Sequence, residues 1–288
     1  QEVLLTEQDE SLGDVLDATT GQRLRGELVR QARQLEMEYF KKKKNVYTKR
    51  PRAEAIRRAG KPPITVKWVD VNKGDDENPN YRSRLVAREI RKKWEDSIFA
   101  PTPPLEALRA ILSVAATKDC WPEPVWRSAK DSEDRLQISL IDIARTYFSA
   151  KTSEDHPVYV ELPPEDPDHG GDLCGRLNVH MYGTRPAADG WHCEYSDMMK
   201  QCGFAIGQSS ACFFYHEERG LRCSVHGDDF ATVGSKASLD WFKEQLSTRY
   251  EFKEGARLVP GEHDDKEGRV LNRIVRWTDE GQIGRAHV

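Results

Sequence analysis

The stretch 221–234 constrains this chain more than any other, because β-prone residues flank a tight turn that carries adjacent carboxylates. Its alternation of apolar and polar residues predicts two short strands joined by a tight turn that carries Asp228 and Asp229, with the second strand resuming at Phe230. Turns of this composition are common and most only reverse the chain, so an ordinary hairpin is an open alternative. A hairpin with two aspartates at its tip is also well suited to hold a divalent metal ion.

A second carboxylate-bearing strand is predicted within residues 136–150. A β-branched run there ends in Asp142 and is followed by Tyr147 and Phe148. If this strand lies beside the hairpin, Asp142 converges with Asp228 and Asp229. Three such carboxylates suit Mg²⁺, which prefers hard oxygen ligands and keeps places for water and phosphates. Two ions held there would stabilise both the attacking and the leaving oxygen of a phosphoryl transfer.

Several sequence blocks occur in an order and spacing that together are specific. The blocks are Trp68, residues 81–88, 99–101, 141–143, Tyr147 with Phe148, 158–160 with Pro163, 181–183, Trp191, 202–204 and 227–229. With these blocks, the chain resembles the reverse transcriptase region of copia-type LTR retrotransposons over residues 60–255.

The resemblance implies an α+β fold, with a polymerase palm and a smaller fingers subdomain on the N-terminal side. The palm is expected to be an antiparallel sheet with helices on one face. The implied activity is an RNA-directed DNA polymerase that also copies DNA, with Asp142, Asp228 and Asp229 as catalytic residues and metal ligands. The implied cofactor is Mg²⁺, with Mn²⁺ as a substitute. The implied partners are an RNA or DNA template-primer and deoxynucleoside triphosphates; the oligomeric state is left open.

The resemblance also assigns residues that contact the nucleotide. Arg84, or as second choice Arg82, would bind the triphosphate, and a surface arginine is the alternative. Tyr147 would exclude a 2′-hydroxyl, unless it is only a core tyrosine. Arg185 keeps the basic residue that relatives carry after a Tyr-Gly pair. Lys253 is the candidate proton donor to pyrophosphate.

Two positions depart from the family pattern. Pro186 stands where relatives usually carry a glutamine, and His226 stands where most carry an aromatic residue. A catalytically inactive, truncated remnant that binds nucleic acid weakly is therefore an open alternative. Nucleotide cyclisation on a similar palm is a third hypothesis, but it explains neither the fingers block nor Tyr147. Because the chain begins at Gln1 rather than Met, a fragment, a processed product or an incomplete gene model is expected.

Charge is distributed unevenly along the chain, whose net charge is −4. Basic residues crowd 41–61, and such a stripe can bind a phosphate backbone, although a solvated face is the alternative. The expected organisation is a disordered N-terminus at 1–20 and a helix with a basic linker at 21–61. Residues 62–288 would then form the fingers and palm, with an incomplete thumb and no RNase H.

The sequence contains no apolar run long enough to span a bilayer and no recognisable signal peptide, so no membrane partner is expected. The six cysteines show neither a C-x-x-C pair nor zinc-ligand spacing. They are therefore expected to be reduced thiols in an intracellular protein, cytoplasmic or nuclear rather than secreted.

Overall fold

This computed structural model describes residues 15–89, 102–116, 136–259, 266–271, 273–277 and 283–287. Their regular elements are helices and antiparallel sheets. The α+β class expected from the sequence is therefore confirmed. The described residues divide into two compact units. The first unit takes those up to 89 and 150–190, and the second takes the rest. The block 99–101 and residues 1–14 of the predicted disordered segment lie outside the described residues.

Helices and strands occupy the following residues. The helices are α1 (Gly26–Glu38), α2 (Arg52–Ala59), α3 (Leu105–Ala116), α4 (Ala187–Gln201) and α5 (Lys236–Ser247). The strands are β1 (Tyr47–Pro51), β2 (Val66–Asn72), β3 (Tyr81–Ala87), β4 (Gln137–Ile143), β5 (Tyr159–Val160), β6 (Leu173–Leu177), β7 (Ala205–Ile206), β8 (Phe213–His216), β9 (Leu221–His226), β10 (Asp229–Gly234), β11 (Phe252–Leu258), β12 (Glu267–Val270), β13 (Arg273–Trp277) and β14 (Ile283–His287).

The first unit contains a three-stranded sheet in the order β1-β6-β5 and the antiparallel pair β2-β3. The predicted linker at 41–61 is wrong for residues 47–51, because they form β1 and pair with β6. That partner lies more than a hundred residues away, so no local pattern announces the pairing. Asp17, in the segment predicted to be disordered, is 4% exposed and accepts the backbone N–H groups of Thr19, Thr20 and Asn72.

The second unit is built on a six-stranded antiparallel sheet in the order β11-β4-β10-β9-β8-β7. One face packs against α4 and α5 through residues such as Ile141 and Phe230. The opposite face packs against α3 and the strands β12 and β13 through residues such as Leu140 and Ala231. The expectation of helices on one face only is therefore wrong. Because successive side chains alternate between faces and every residue of β4 except Asp142 is buried, this strand is covered on both sides.

Two further findings concern the cysteines and the helices of the described residues. The described cysteines are free thiols, and burial raises the pKa of Cys223 to about 12. Such a thiol stays protonated and unreactive at neutral pH. No helix in the described ranges has the length and apolar character needed to cross a membrane.

Candidate active site

Asp142 and Asp229 lie directly opposite each other on the neighbouring strands β4 and β10. Directly opposed residues in an antiparallel pair point to the same face of the sheet, with Cβ atoms about 5 Å apart. Asp142 is the exposed residue of β4, whose other side chains are all buried. The structure therefore brings together two carboxylates that are far apart in sequence.

Asp228 lies beside this pair, in the two-residue turn that joins β9 to β10. Gly227 has a φ of 64°, whereas Asp228 has a negative φ, which is the order expected of a type II′ turn. Glycine adopts this conformation without the steric cost that a side chain would add. The carbonyl oxygen of Asp228 accepts the N–H of Ile143 at 2.9 Å, so the turn is bonded to the residue that follows Asp142.

The electrostatics of the site reflect three carboxylates in close proximity. Burial, followed by the negative charges of Asp228 and Asp142, raises the pKa of Asp229 from 3.8 to about 6. Each of these causes disfavours the ionised form of Asp229. A bound cation would reverse this effect, because it neutralises the charge that the three groups share.

The donor set fits a divalent metal ion of the Mg²⁺ type. All three side chains supply carboxylate oxygens, and Mg²⁺ in nucleotide sites is typically held by one or two carboxylates together with substrate phosphates. Among the described residues, no three or more acidic, histidine or cysteine side chains lie close enough together to form a metal-binding group on their own. An ion held by these carboxylates would therefore need further ligands, such as phosphate and water.

Tyr147 belongs to the same site. A short 3₁₀ turn, Thr146–Ser149, follows β4, and Arg145 enters it with a φ of 51°. Few residues other than glycine adopt this conformation, and such strain is frequent at functional sites. The half-buried ring packs on the apolar core, and burial followed by the charge of Asp228 raises the pKa of Tyr147. The charge of Asp228 in the turn therefore acts on the Tyr147 hydroxyl.

Two basic residues line a cleft that Asp142 and Asp229 also line. Lys253 on β11 lies opposite Asp142, on the side of β4 away from Asp229. An open cleft of about 520 Å³ is lined by these three residues and also by Arg269 and Leu271 from the β12-β13 hairpin. Sequence reasoning missed Arg269 because only the packing of that hairpin on the sheet places it there.

The first unit contains the two arginines that the resemblance assigned to the nucleotide. Arg84 is exposed on β3, with its guanidinium carbon 5.2 Å from the ring centroid of Tyr182. Next to Tyr182, Gly183 has a φ of 81°, and a Cβ there would lie 2.0 Å from the carbonyl oxygen of Ala87. Only glycine therefore allows this segment to run along the end of β3. Arg185 follows it, and the nucleotide roles of both arginines stay predictions.

The two residues that depart from the family pattern, Pro186 and His226, lie beside the helix α4 and the aspartate turn respectively. Pro186 directly precedes α4 and accepts the N–H of Gly190 at 2.8 Å, so it opens the helix where its own missing N–H costs nothing. His226 lies opposite Asp229 across the turn. Its Nδ1 is buried and makes no hydrogen bond within the described part of the chain.

Several basic residues of the stripe at 41–61 form ion pairs inside the first unit, which neutralise part of its charge. The pairs include Lys49 with Asp166 and Asp168, Arg52 with Glu161, and Lys61 with Glu89. Asp166 is the centre of the largest group, with a side chain that is 0% exposed. These pairs explain why the stripe need not be a phosphate-binding surface.

Comparison with known proteins identifies the class. A family model described as reverse transcriptase (RNA-dependent DNA polymerase) matches residues 56–259, which is more than two thirds of the chain. The chain belongs to this family. The match includes every residue that the sequence assigned to the site, from Arg84 to Lys253.

A named relative refines the comparison. The "Retrovirus-related Pol polyprotein from transposon TNT 1-94" of Nicotiana tabacum is 25% identical to this chain over 210 residues. The aligned part covers 68% of this chain but only 14% of the relative. The two findings confirm the resemblance to the reverse transcriptase region of copia-type retrotransposon Pol polyproteins.

Proposed function

We propose that this chain carries the polymerising centre of an RNA-directed DNA polymerase that extends a primer on an RNA or DNA template. The observation that supports this most strongly is the placement of Asp142 opposite Asp229, with Asp228 in the adjoining turn. Family membership supports the reaction class, and the strand register supports the choice of these three carboxylates as its site. Fingers for the first unit and palm for the second are part of the same proposal.

Each acidic residue has a separate task in the proposed reaction. Asp142 and Asp228 would hold two Mg²⁺ ions, and Asp229 would be the auxiliary carboxylate. When bound, these ions lower the pKa of the primer 3′-hydroxyl and neutralise the charge that develops on the phosphates. The hydroxyl attacks the α-phosphate in line, and pyrophosphate leaves. Mn²⁺ has the same ligand preferences and would substitute.

The remaining residues would bind, select and protonate. Arg84 and Arg185 would bind nucleotide phosphates through charge-assisted hydrogen bonds. The ring of Tyr147 would fill the space that a ribose 2′-hydroxyl needs. Lys253, which lies opposite Asp142 in the strand register, would donate a proton to the leaving pyrophosphate. Arg269 would add positive charge on the cleft wall formed by the β12-β13 hairpin.

Primer extension on poly(rA)/oligo(dT) with Mg²⁺ tests this proposal. The decisive variant is Asp228→Asn, which keeps the size of the side chain and removes its charge. Asp197→Asn is a matched control, because this exposed aspartate lies on α4 and its nearest basic partner is Lys200. We expect the wild type and Asp197→Asn to incorporate nucleotide and Asp228→Asn to lose activity by at least about 100-fold.

Incorporation that Asp228→Asn leaves unchanged would come from a contaminating enzyme and would contradict the proposal. A wild type that binds Mn²⁺ at Asp228 but incorporates nothing would instead support the inactive remnant. Mn²⁺ affinity is therefore measured on the same protein samples, so that loss of chemistry and loss of metal binding are separated.

A further inference from the structure

We propose that Trp191 is a positioning residue, whose indole N–H fixes the orientation of Asp228 in the turn. This inference rests on the proposed function, since it concerns how one of the proposed metal ligands is aimed. Its evidence is a hydrogen bond between the indole and the turn, which involves no metal ligand. The indole Nε1 donates to the carbonyl oxygen of Gly227 at 2.7 Å.

The indole is itself held firmly. Trp191 is 2% exposed and lies in the second turn of α4. Tyr195 contacts it edge-on at 5.4 Å between ring centroids, and Tyr250 does so at 5.2 Å. The hydroxyl of Tyr195 contacts His192 Nδ1 at 2.6 Å, so a further contact holds the Tyr195 ring in place. A donor held in this way has little freedom to follow a moving turn.

Two hydrogen bonds together define the backbone of Asp228. The peptide unit before Asp228 is held through the carbonyl of Gly227, which accepts from Trp191. The peptide unit after it is held through its own carbonyl, which accepts from Ile143. Peptide units are planar, so fixing both planes fixes φ and ψ of the residue between them and the direction of its Cα–Cβ bond. Trp191 therefore aims the Asp228 carboxylate without touching it.

Packing at Gly227 itself does not hold the turn. Gly227 is exposed, and a Cβ built on it would meet no atom within 4 Å. An exposed glycine in the left-handed region gains the most freedom when its carbonyl is released. Loss of the indole N–H should therefore loosen the turn while the strands on either side stay paired.

Trp191→Phe removes the N–H and keeps an aromatic ring, and Trp277→Phe is the matched control. Trp277 is 5% exposed in the same unit, and its Nε1 is buried without a hydrogen-bond partner in the described ranges. Replacing Trp191 by benzothienylalanine keeps the bicyclic shape, exchanges N–H for sulfur and remains informative if Trp191→Phe does not fold. The first readout is amide hydrogen exchange of 226–229 without metal, and the second is Mn²⁺ affinity by electron paramagnetic resonance.

We expect both Trp191 variants to exchange these amides about fivefold faster, as the loss of one hydrogen bond predicts. We expect their Mn²⁺ affinity to fall about tenfold, as for loss of a group that orients a metal ligand. Trp277→Phe should leave both quantities at wild-type values. Wild-type exchange in the benzothienylalanine protein, or equal acceleration in Trp277→Phe, would overturn the inference. Because exchange is measured without metal or substrate, it decides the role of Trp191 even if primer extension fails.

Discussion

Replacement of Asp229 by asparagine should stabilise the protein above pH 6 and have little effect near pH 4. The pKa of this carboxyl is raised to about 6 from 3.8, a difference of about two pH units. The unfolded chain therefore releases this proton at lower pH than the folded chain, and the stability of the fold declines as pH rises from 4 to 6. Each pKa unit corresponds to about 1.4 kcal/mol, so the gain in the free energy of unfolding has an upper bound of about 3 kcal/mol.

Water in the open cleft screens the half-buried group, so we expect about 1 kcal/mol of the bound to be realised. In thermal unfolding followed by tryptophan fluorescence, this predicts a Tm for Asp229→Asn about 2–4 °C above wild type at pH 7.5. The two proteins should converge at pH 4. Asp240→Asn is the control for the sign of the effect. A hydrogen bond from Arg257 lowers the pKa of Asp240, so this replacement should lower the Tm at pH 7.5 rather than raise it. A Tm difference for Asp229→Asn that is independent of pH would refute the reasoning.

Three other perturbations test separate parts of the structure. Tyr147→Ala should raise the relative kcat/KM for ribonucleotides by about tenfold or more, whereas Tyr147→Phe should keep discrimination, as measured by single-nucleotide incorporation. Burial alone would raise the pKa of Asp166, but hydrogen bonds from Lys49 and Tyr47 outweigh it and lower the pKa to about 2. Asp166→Asn should therefore cost about 2 kcal/mol at pH 7 and progressively less as pH falls toward 2, as measured by urea unfolding. Arg269→Ala should raise the KM for primer-template and weaken its salt dependence, and unchanged values would exclude a phosphate contact.

Local pattern was sufficient to predict the elements that carry the carboxylates. Alternating residues around Gly227 predicted the hairpin, and the β-branched run predicted the strand that ends near Asp142. The placement of the two strands as neighbours in the sheet came from the resemblance, because strand order depends on contacts that no short window contains.

Other features of the site were beyond the sequence for the same reason. Trp191 entered the sequence analysis only as one block of the resemblance, and nothing in the sequence distinguishes an indole that packs from one that also donates to a turn. Arg269 enters the cleft only through the packing of a distant hairpin. Residues 47–51, predicted as part of a basic linker, form a strand because β6 satisfies their backbone hydrogen bonds and nearby acidic residues neutralise their charge.

Anomalous diffraction from crystals containing Mn²⁺, a primer-template and a non-hydrolysable deoxynucleotide would test most directly whether the carboxylates hold paired cations. We predict two manganese peaks about 4 Å apart, with carboxylate oxygens of Asp142 and Asp228 about 2.1 Å from the metal positions. Manganese bound only at other sites, in crystals of a protein that extends primers, would contradict the account.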